Sequence, residues 1–309
     1  MSKFQVEKQY TLRGHRDCVY TLAPAAEPHY VYSAGGDGMV VRWNLLDPEQ
    51  GKVVAKVPTS VYTIHYDRRQ NQLIVGQNYE GIHVIDVENE REQGSVNLGK
   101  AALFDIQMLD NRILVATGDG EVVVLDRNDL TTIHRIKPTQ QRARSIALNH
   151  ETQEIAVGFS DHTVRIYDAI SYQLKHTLKD HTNSVFTVKY TPNYRFLVTA
   201  GRDAHLKVWD VRENYQITKS IAAHMYAINY IHFSDDGRYF ATGSMDKSVK
   251  VWDAQQFRLL KVIDKARHAG HGTSVNRVLW MPTVAGGHHR QLVSASDDRT
   301  VSVWNLQES

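Results

Sequence analysis

Short apolar runs alternate with polar residues along nearly the whole chain, and turn-forming residues interrupt them at regular intervals. The clearest examples lie at 31–44, 196–210, 239–253 and 292–305. Each contains an alternating segment, a turn that includes Asp, and a second alternating segment that ends in Trp and Asp or Asn. Alternation with a period of two residues, reversed at Gly, Asp or Asn, predicts a β-hairpin.

Three weaker copies of this hairpin fill the middle of the chain, at 73–86, 114–126 and 155–168. An apolar or aromatic residue stands near the end of every copy. These marker residues are Trp43, Ile85, Leu125, Tyr167, Trp209, Trp252 and Trp304. Successive markers are 42, 40, 42, 42, 43 and 52 residues apart. Spacing this even indicates seven copies of one repeat.

A further strand with a histidine marker precedes each well-formed hairpin. The segments 13–22, 179–188, 222–231 and 269–278 each place a His four residues before a β-branched residue. These histidines are His15, His181, His224 and His271. Another alternating run lies before each His, as at 172–178. Each repeat therefore predicts four strands in about 42 residues.

This pattern resembles the WD-repeat family of β-propellers, which has a period of ~40–45 residues, four strands per blade and GH and WD markers. The match is specific in units 1, 5, 6 and 7 and degenerate in units 2, 3 and 4. The resemblance implies an all-β fold, a seven-bladed β-propeller of four-stranded antiparallel blades, formed by a single domain over 1–309. Because the last unit ends at its third strand, it also implies that the N-terminal strand at 4–12 completes the last blade.

Ser or Thr, His and Asp recur at fixed spacing, together with a Trp six residues after the Asp. The sets are His15, Ser33, Asp37 and Trp43; His181, Thr199, Asp203 and Trp209; His224, Thr242, Asp246 and Trp252; and His271, Ser294, Asp298 and Trp304. One such set alone would suggest nucleophilic catalysis. Four copies around a ring instead indicate a buried structural relay from the indole N–H through the hydroxyl and His to Asp. We therefore expect no catalytic residues and no enzymatic activity.

Units 2, 3 and 4 lack this relay. We place Val57, Gly99 and Arg142 at their His positions, and Val75, Val115 and Val157 at their hydroxyl positions. Units 3 and 4 keep the turn acids Asp119 and Asp161, whereas the turn of unit 2 has Tyr79 or Glu80 and is irregular. We expect apolar packing to replace the relay. These loops are then freer to serve a partner, although weakened selection explains the same pattern.

The resemblance implies that partners bind the face that carries the His loops and the Asp turns. We call the β-branched residue at the start of each innermost strand its anchor, and the resemblance implies that the residue after the anchor approaches the channel mouth on this face. These residues are Tyr20, Tyr62, Phe104, Ala147, Phe186, Asn229 and Asn276. Four are aromatic, so they either form a collar that grips an inserted side chain or pack between blades.

A basic segment at 134–144 supplies Arg135, Lys137, Arg142 and Arg144 without an acid. We expect Arg142 and Arg144 to lie near the His-loop face, where Arg202 in the turn of unit 5 can join them. Arginine suits carboxylates and phosphates because its planar fork can bond two oxygens. The alternative is ordinary solvated loop charge.

Two insertions lengthen the last interval, at 263–272 and 281–290, and we expect them on opposite faces. They bring His268, His271, His288 and His289 into one region of the chain. His271 already belongs to a relay, and no Cys or carboxylate set completes a tetrahedral zinc site. We therefore expect no metal and no cofactor.

The composition is that of an ordinary globular protein, with 42% apolar and 23% charged residues. The net charge of +2 gives no global reason to expect nucleic acid, and the single Cys18 fits a reducing compartment. The sequence shows no signal peptide and no membrane-spanning run, so we expect a cytoplasmic protein, with the nucleus as the alternative compartment, that is not secreted.

Taken together, the sequence predicts a non-catalytic scaffold or adaptor. We expect a monomeric propeller that binds one or more protein partners within a multi-subunit complex, through Tyr20, Tyr62, Phe104, Phe186, Arg142, Arg144 and Arg202. The alternative is binding of nucleic acid or another polyanion through the basic patch around Arg142 and Arg144.

Overall fold

The computed structural model describes residues 4–282 and 290–308 and contains seven four-stranded antiparallel sheets. The first strand, β1 (Phe4–Arg13), belongs to the last blade. Blade 1 contains β2 (Val19–Pro24), β3 (Tyr30–Gly35), β4 (Met39–Asn44) and β5 (Asp47–Lys56). Blade 2 contains β6 (Val61–Asp67), β7 (Gln72–Gln77), β8 (Gly81–Asp86) and β9 (Arg91–Asn97). Blade 3 contains β10 (Leu103–Leu109), β11 (Arg112–Thr117), β12 (Val122–Asp126) and β13 (Thr132–Ile136).

The remaining blades follow the same order, from the innermost strand outward. Blade 4 contains β14 (Ala143–Asn149), β15 (Glu154–Phe159), β16 (Val164–Asp168) and β17 (Leu174–Leu178). Blade 5 contains β18 (Val185–Tyr190), β19 (Phe196–Gly201), β20 (His205–Asp210) and β21 (Gln216–Ala222). Blade 6 contains β22 (Ile228–Phe233), β23 (Tyr239–Ser244), β24 (Val249–Asp253) and β25 (Arg258–Ile263). The short helix α1 (Lys265–His268) precedes blade 7, which contains β26 (Val275–Trp280), β27 (Arg290–Ser296) and β28 (Thr300–Glu308).

The seven innermost strands form a closed ring, because each contacts its two neighbours and β26 contacts β2. The N-terminal strand β1 supplies the outer strand of blade 7, where it pairs antiparallel with β28. Their register runs from Phe4 opposite Glu308 to Arg13 opposite Thr300, with a bulge between Lys8 and Tyr10. The predicted seven-bladed fold and its closure by the N-terminal strand are both confirmed.

The core lies between adjacent blades. The cluster between blades 7 and 1, for example, joins Leu12, Val303 and Val293 to Val19 and Trp43. All seven marker residues are buried. In blades 2, 3 and 4 the marker residues Ile85, Leu125 and Tyr167 belong to these clusters, so an apolar or aromatic side chain fills the place of Trp.

The insertion at 263–272 holds α1. Its N-cap is Asp264, whose side chain accepts the Arg267 backbone N–H at 2.8 Å. The second insertion falls mainly on 283–289, so His288 and His289 lie outside the described residues. Within the described residues, no three His, Cys, Asp or Glu side chains form a cluster that could hold a metal. No helix in this part of the chain has the length and apolar character to cross a membrane.

Candidate functional site

The relay joins the loop that enters a blade to the turn between its second and third strands. In blade 1, the Trp43 indole N–H donates to Ser33 Oγ at 2.8 Å, and Ser33 Oγ lies 2.7 Å from His15 Nε2. His15 Nδ1 lies 3.0 Å from the Asp37 carboxylate, which also accepts the Arg16 backbone N–H at 2.8 Å. A His that donates from Nδ1 and accepts at Nε2 satisfies every group of this chain.

Blades 5 and 6 repeat this geometry. Their indole–hydroxyl distances are 2.9 Å for Trp209–Thr199 and 3.0 Å for Trp252–Thr242, and both His–Asp distances, His181–Asp203 and His224–Asp246, are 2.8 Å. The imidazoles are almost entirely buried. A group hidden in this way cannot meet a substrate, so the geometry is that of a structural link.

Blade 7 departs from the predicted relay. His271 contacts Ser294 Oγ at 2.7 Å and Asp298 at 2.9 Å, but the Trp304 indole N–H has no hydrogen-bond acceptor among the described residues. The indole stands edge-on to His271 and lies beneath Lys8 Nζ of β1, 5.9 Å from its ring centroid. The prediction that Trp304 donates to Ser294 is therefore wrong. Blade 7 differs from the other blades in its outer strand, because β1 from the start of the chain supplies it and brings Lys8 over the indole.

Replacing Thr242 with Val should lower the free energy of unfolding by roughly 1–3 kcal/mol, because the buried His224 Nε2 and Trp252 N–H both lose their partner. Urea denaturation followed by circular dichroism measures the change. The same substitution at the exposed Thr182, whose side chain takes no part in a relay and whose backbone N–H the change leaves in place, is the matched control. Equal stability of the two variants would contradict a stabilising role for the relay.

Blades 2, 3 and 4 lack the relay, as the sequence predicts, and Val75, Val115 and Val157 are fully buried. The register of blade 4 differs from the prediction, because its innermost strand is anchored at Ala143 rather than at Ile146. Consequently Thr139, not Arg142, occupies the position equivalent to His15.

A β-bulge near the start of every innermost strand turns one side chain toward the channel mouth. We call these seven residues the collar. They are Tyr20, Tyr62, Phe104, Arg144, Phe186, Asn229 and Asn276. The prediction of Ala147 at this level is wrong, because Arg144 occupies the bulge and Ala147 lies three residues further along the strand.

The collar lines a cavity of about 780 Å³. Lys100 and Asp119 also line it. Backbone hydrogen bonds such as Gly36 N–H to the Cys18 carbonyl, 2.8 Å long, place each Asp turn beside the start of an innermost strand. The collar therefore opens on the side of the His loops and Asp turns, which we call the collar face.

The aromatic members of the collar form a continuous arc. Tyr20 and Tyr62 meet edge to face with centroids 4.8 Å apart, and Tyr62 stacks on Phe104 at 5.8 Å. The Arg144 guanidinium carbon then lies 4.3 Å from the Phe104 centroid and 5.0 Å from that of Phe186. These rings remain partly exposed, whereas the anchor residues just before them are buried.

Arg144 is a cation without a counter-ion in the described part of the chain. Its Nε donates to Ser160 Oγ at 2.9 Å, and no carboxylate of residues 4–282 or 290–308 lies within 4 Å of it. Burial, together with the charges of Arg142 and Arg202, lowers the pKa of Arg144 to about 10. The side chain stays charged at pH 7, so it presents unpaired donors at the channel mouth.

The other cations of the basic segment are differently placed. Arg135 and Lys137 both donate to the Glu121 carboxylate, at 2.6 and 2.7 Å. The four-residue patch expected from 134–144 is therefore reduced to Arg142 and Arg144, beside Arg202. The sequence conceals this pairing because Glu121 belongs to the preceding turn.

Exposed apolar side chains on the collar face were not predicted. In blade 6, Met225 and Tyr226 directly follow His224 in the entering loop and are 83% and 63% exposed, and Met245 in the Asp turn is 50% exposed. In blade 2, the turn residue Tyr79 is 58% exposed. Other exposed apolar side chains, such as Leu46 at 75%, lie elsewhere, but an exposed apolar cluster like that of blade 6 is typical of an interaction surface. The sequence offered one signal for these exposed residues, namely that they lie directly after a relay His or within an Asp turn.

A second tier of side chains lies three residues beyond the collar on the innermost strands. These residues are Ala23, His65, Gln107, Ala147, Lys189, His232 and Leu279. His232 Nδ1 accepts the Trp280 backbone N–H at 3.1 Å. Burial, followed by the charges of Lys189 and Arg277, lowers the pKa of His232 to about 3. The imidazole is therefore neutral at physiological pH.

The unfolding free energy should fall as the pH is lowered from 6.5 toward 3, partly because of His232. In the unfolded chain this residue takes up a proton near its ordinary pKa of 6.5, whereas in the folded chain it does so only near pH 3. His232→Asn offers an acceptor to the Trp280 N–H but does not titrate, so its stability should fall less steeply. Urea titrations at stepped pH measure both slopes, and parallel curves would refute this assignment.

Seven four-stranded blades closed around an axial channel define the class as a β-propeller. A comparison with protein families assigns four segments to the WD40 family, described as "WD domain, G-beta repeat": 6–44, 172–210, 215–253 and 264–305. These segments cover just over half of the chain, and the chain belongs to this family. The unmatched stretch at 45–171 contains the degenerate blades 2, 3 and 4.

Several curated proteins are similar to this chain. They include actin-interacting protein 1 of Drosophila melanogaster, 25% identical over 209 residues, and the striatin homolog of Dictyostelium discoideum, 22% identical over 225 residues. A guanine nucleotide-binding protein subunit beta of Oryza sativa subsp. japonica is 23% identical over 222 residues. The matches cover 64%, 66% and 65% of this chain but only 32%, 27% and 58% of those relatives, so the chain spans less than two thirds of their length.

Proposed function

We propose that this propeller is a non-catalytic scaffold that binds a segment of a partner protein on its collar face. The observation that carries the proposal is Arg144, held between Phe104 and Phe186 at the channel mouth without a carboxylate partner among the described residues. A guanidinium that is held in place and lacks a counter-ion favours an acidic side chain, and the adjacent rings offer apolar contact.

The relatives support the same class of function. One is named for its interaction with actin and another is a subunit of a larger protein. We propose that this chain likewise works as a monomeric propeller, as one domain over 1–309, within a multi-subunit assembly in the cytoplasm. Met225, Tyr226 and Met245 extend the proposed contact surface toward blade 6.

Binding of nucleic acid or another polyanion is the second candidate, and Arg142, Arg144 and Arg202 favour it. Two observations weigh against it. The net charge is only +2, and Arg135 and Lys137 are paired with Glu121. Polyanion binding would weaken steeply with salt, because it releases condensed counterions.

Affinity capture from native lysate, with nuclease added, tests the proposal. The Arg142→Glu variant should lose a stoichiometric protein that the wild-type chain retains, because Arg142 is exposed beside the collar. Arg69→Glu makes the same charge change at an exposed residue near the opposite ends of the inner strands, and it should retain that protein.

Each other outcome has a defined meaning. A protein captured equally by both variants would move the site away from the collar face. Capture that disappears on nuclease treatment, or that falls steeply with salt, would favour binding of nucleic acid or another polyanion.

A further inference from the structure

A second group of cations lies below the collar, around Tyr230 on the innermost strand of blade 6. The Arg277 guanidinium carbon lies 3.6 Å from the Tyr230 ring centroid, and Lys189 Nζ lies 5.1 Å from it. Arg277 and Lys189 belong to β26 and β18, the two strands that flank β22 in the ring. Two cations from neighbouring blades therefore converge on one aromatic ring.

The ammonium of Lys189 lies over the ring of Tyr230, which lines the collar cavity. Burial lowers the pKa of His65 in blade 2 and of His232 in blade 6, and the charge of Lys189 lowers both further. These two blades lie across the ring from each other, so the effect on both histidines accords with an ammonium near the axis. Arg277 reaches the same space, since it lines the collar cavity and its charge also acts on His232.

Neither cation has a counter-ion in the part of the chain that the structure describes: no carboxylate lies within 4 Å of Lys189 or Arg277. Asp105 is a buried carboxylate of the channel wall, and its oxygens already accept other hydrogen bonds. The Ile146 backbone N–H donates to it at 2.9 Å and the Ser145 hydroxyl at 3.3 Å. Two half-buried cations without a counter-ion favour binding of a ligand of opposite charge.

The neighbouring groups add donors rather than acceptors. Because His232 Nδ1 accepts the Trp280 N–H, the proton of the neutral imidazole sits on Nε2, which is a donor. Arg277 supplies a planar fork that can bond two oxygens, and Lys189 supplies a compact ammonium. This combination of two positive charges and a neutral N–H fits a divalent, tetrahedral oxyanion better than a single carboxylate.

We propose that the axial channel binds a phosphate-class dianion between Arg277 and Lys189, below the collar. This site differs from the proposed partner site, which rests on Arg144 and the rings of the mouth. A free phosphate and a phosphate monoester share this chemistry, and a small ligand can enter through the collar cavity.

Isothermal titration calorimetry of the full chain with inorganic phosphate, at constant ionic strength in chloride, tests the proposal. A second titration with glycerol phosphate distinguishes free phosphate from a monoester. The wild-type chain should bind one equivalent. Arg277→Gln and Lys189→Gln should each weaken binding about tenfold to a hundredfold, because each removes one charge-assisted contact.

The control variant Arg258→Gln removes an exposed arginine of β25 and should bind as the wild type does. Thermal unfolding without phosphate checks that the variants fold, and added phosphate should raise the melting temperature of the wild type but hardly that of Arg277→Gln. Absence of binding to the wild-type chain would overturn the proposal. So would binding that Arg144→Gln abolishes and Arg277→Gln leaves unchanged, since it would place the anion at the mouth.

Discussion

Replacing Arg144 with Glu should weaken binding of the captured partner by about a hundredfold or more while leaving the propeller folded. Removing one side of a close charge pair costs about 2–5 kcal/mol, and charge reversal adds repulsion. The fold should tolerate the change, because Arg144 lies beside Arg142 and Arg202 and a carboxylate there relieves the repulsion between cations. Titration calorimetry with the purified partner measures the affinity, and a thermal melt measures the stability.

Two matched variants separate charge from shape at this position. Arg144→Lys keeps the charge but loses the planar contact with the rings, so it should bind with intermediate affinity. The double variant Phe104→Ala/Phe186→Ala should lose binding as severely as Arg144→Glu, because the guanidinium then lacks the rings that hold it. A large loss of stability with binding retained would instead identify these rings as packing residues.

Deleting residues 1–13 should abolish cooperative folding of the ring or lower its melting temperature by well over about 10 °C. The deletion removes the buried Phe4 and Leu12, each of which contributes roughly 2–5 kcal/mol. It also leaves the backbone of β28 without its partner from Thr300 to Glu308 and so creates an exposed strand edge. Circular dichroism melts and size-exclusion chromatography measure the effect.

The control for this deletion restores the strand without the covalent connection. A synthetic peptide of residues 1–13 should bind the truncated chain and recover part of the lost stability, because it again pairs with β28 and covers the core between blades 6 and 7. A truncated chain that melts within a few degrees of the full chain would contradict the closure account. In that case β1 would be an accessory strand.

The sequence was sufficient for the fold because the signal recurs. Alternation, the Asp turns and the marker positions repeat seven times, so an ambiguous unit is interpreted from its neighbours. The role of β1 followed from a count, since the last unit lacked an outer strand and an unassigned strand began the chain. Blade 4 was misaligned by three residues, because its anchor is the small Ala143, whereas Ile146 nearby has the β-branched character expected of an anchor.

The site was less predictable, because its properties depend on contacts between distant residues. The sequence placed Tyr20, Tyr62, Phe104 and Phe186 at the mouth, but only the bulge register shows that Arg144 completes their arc. Pairing of Arg135 with Glu121 and the missing acceptor for Trp304 are likewise side-chain geometry. No periodic pattern reports which neighbouring blade a polar side chain will meet.

Hydrogen–deuterium exchange of the complex with its captured partner tests the central claim most directly. Binding at the collar face should slow exchange in the loops at 57–62, 99–104 and 139–144, which enter blades 2, 3 and 4. The turns at 67–72 and 109–112, at the opposite ends of the inner strands, should exchange as they do in the free chain. Protection confined to those opposite turns, with the collar loops unchanged, would contradict the account.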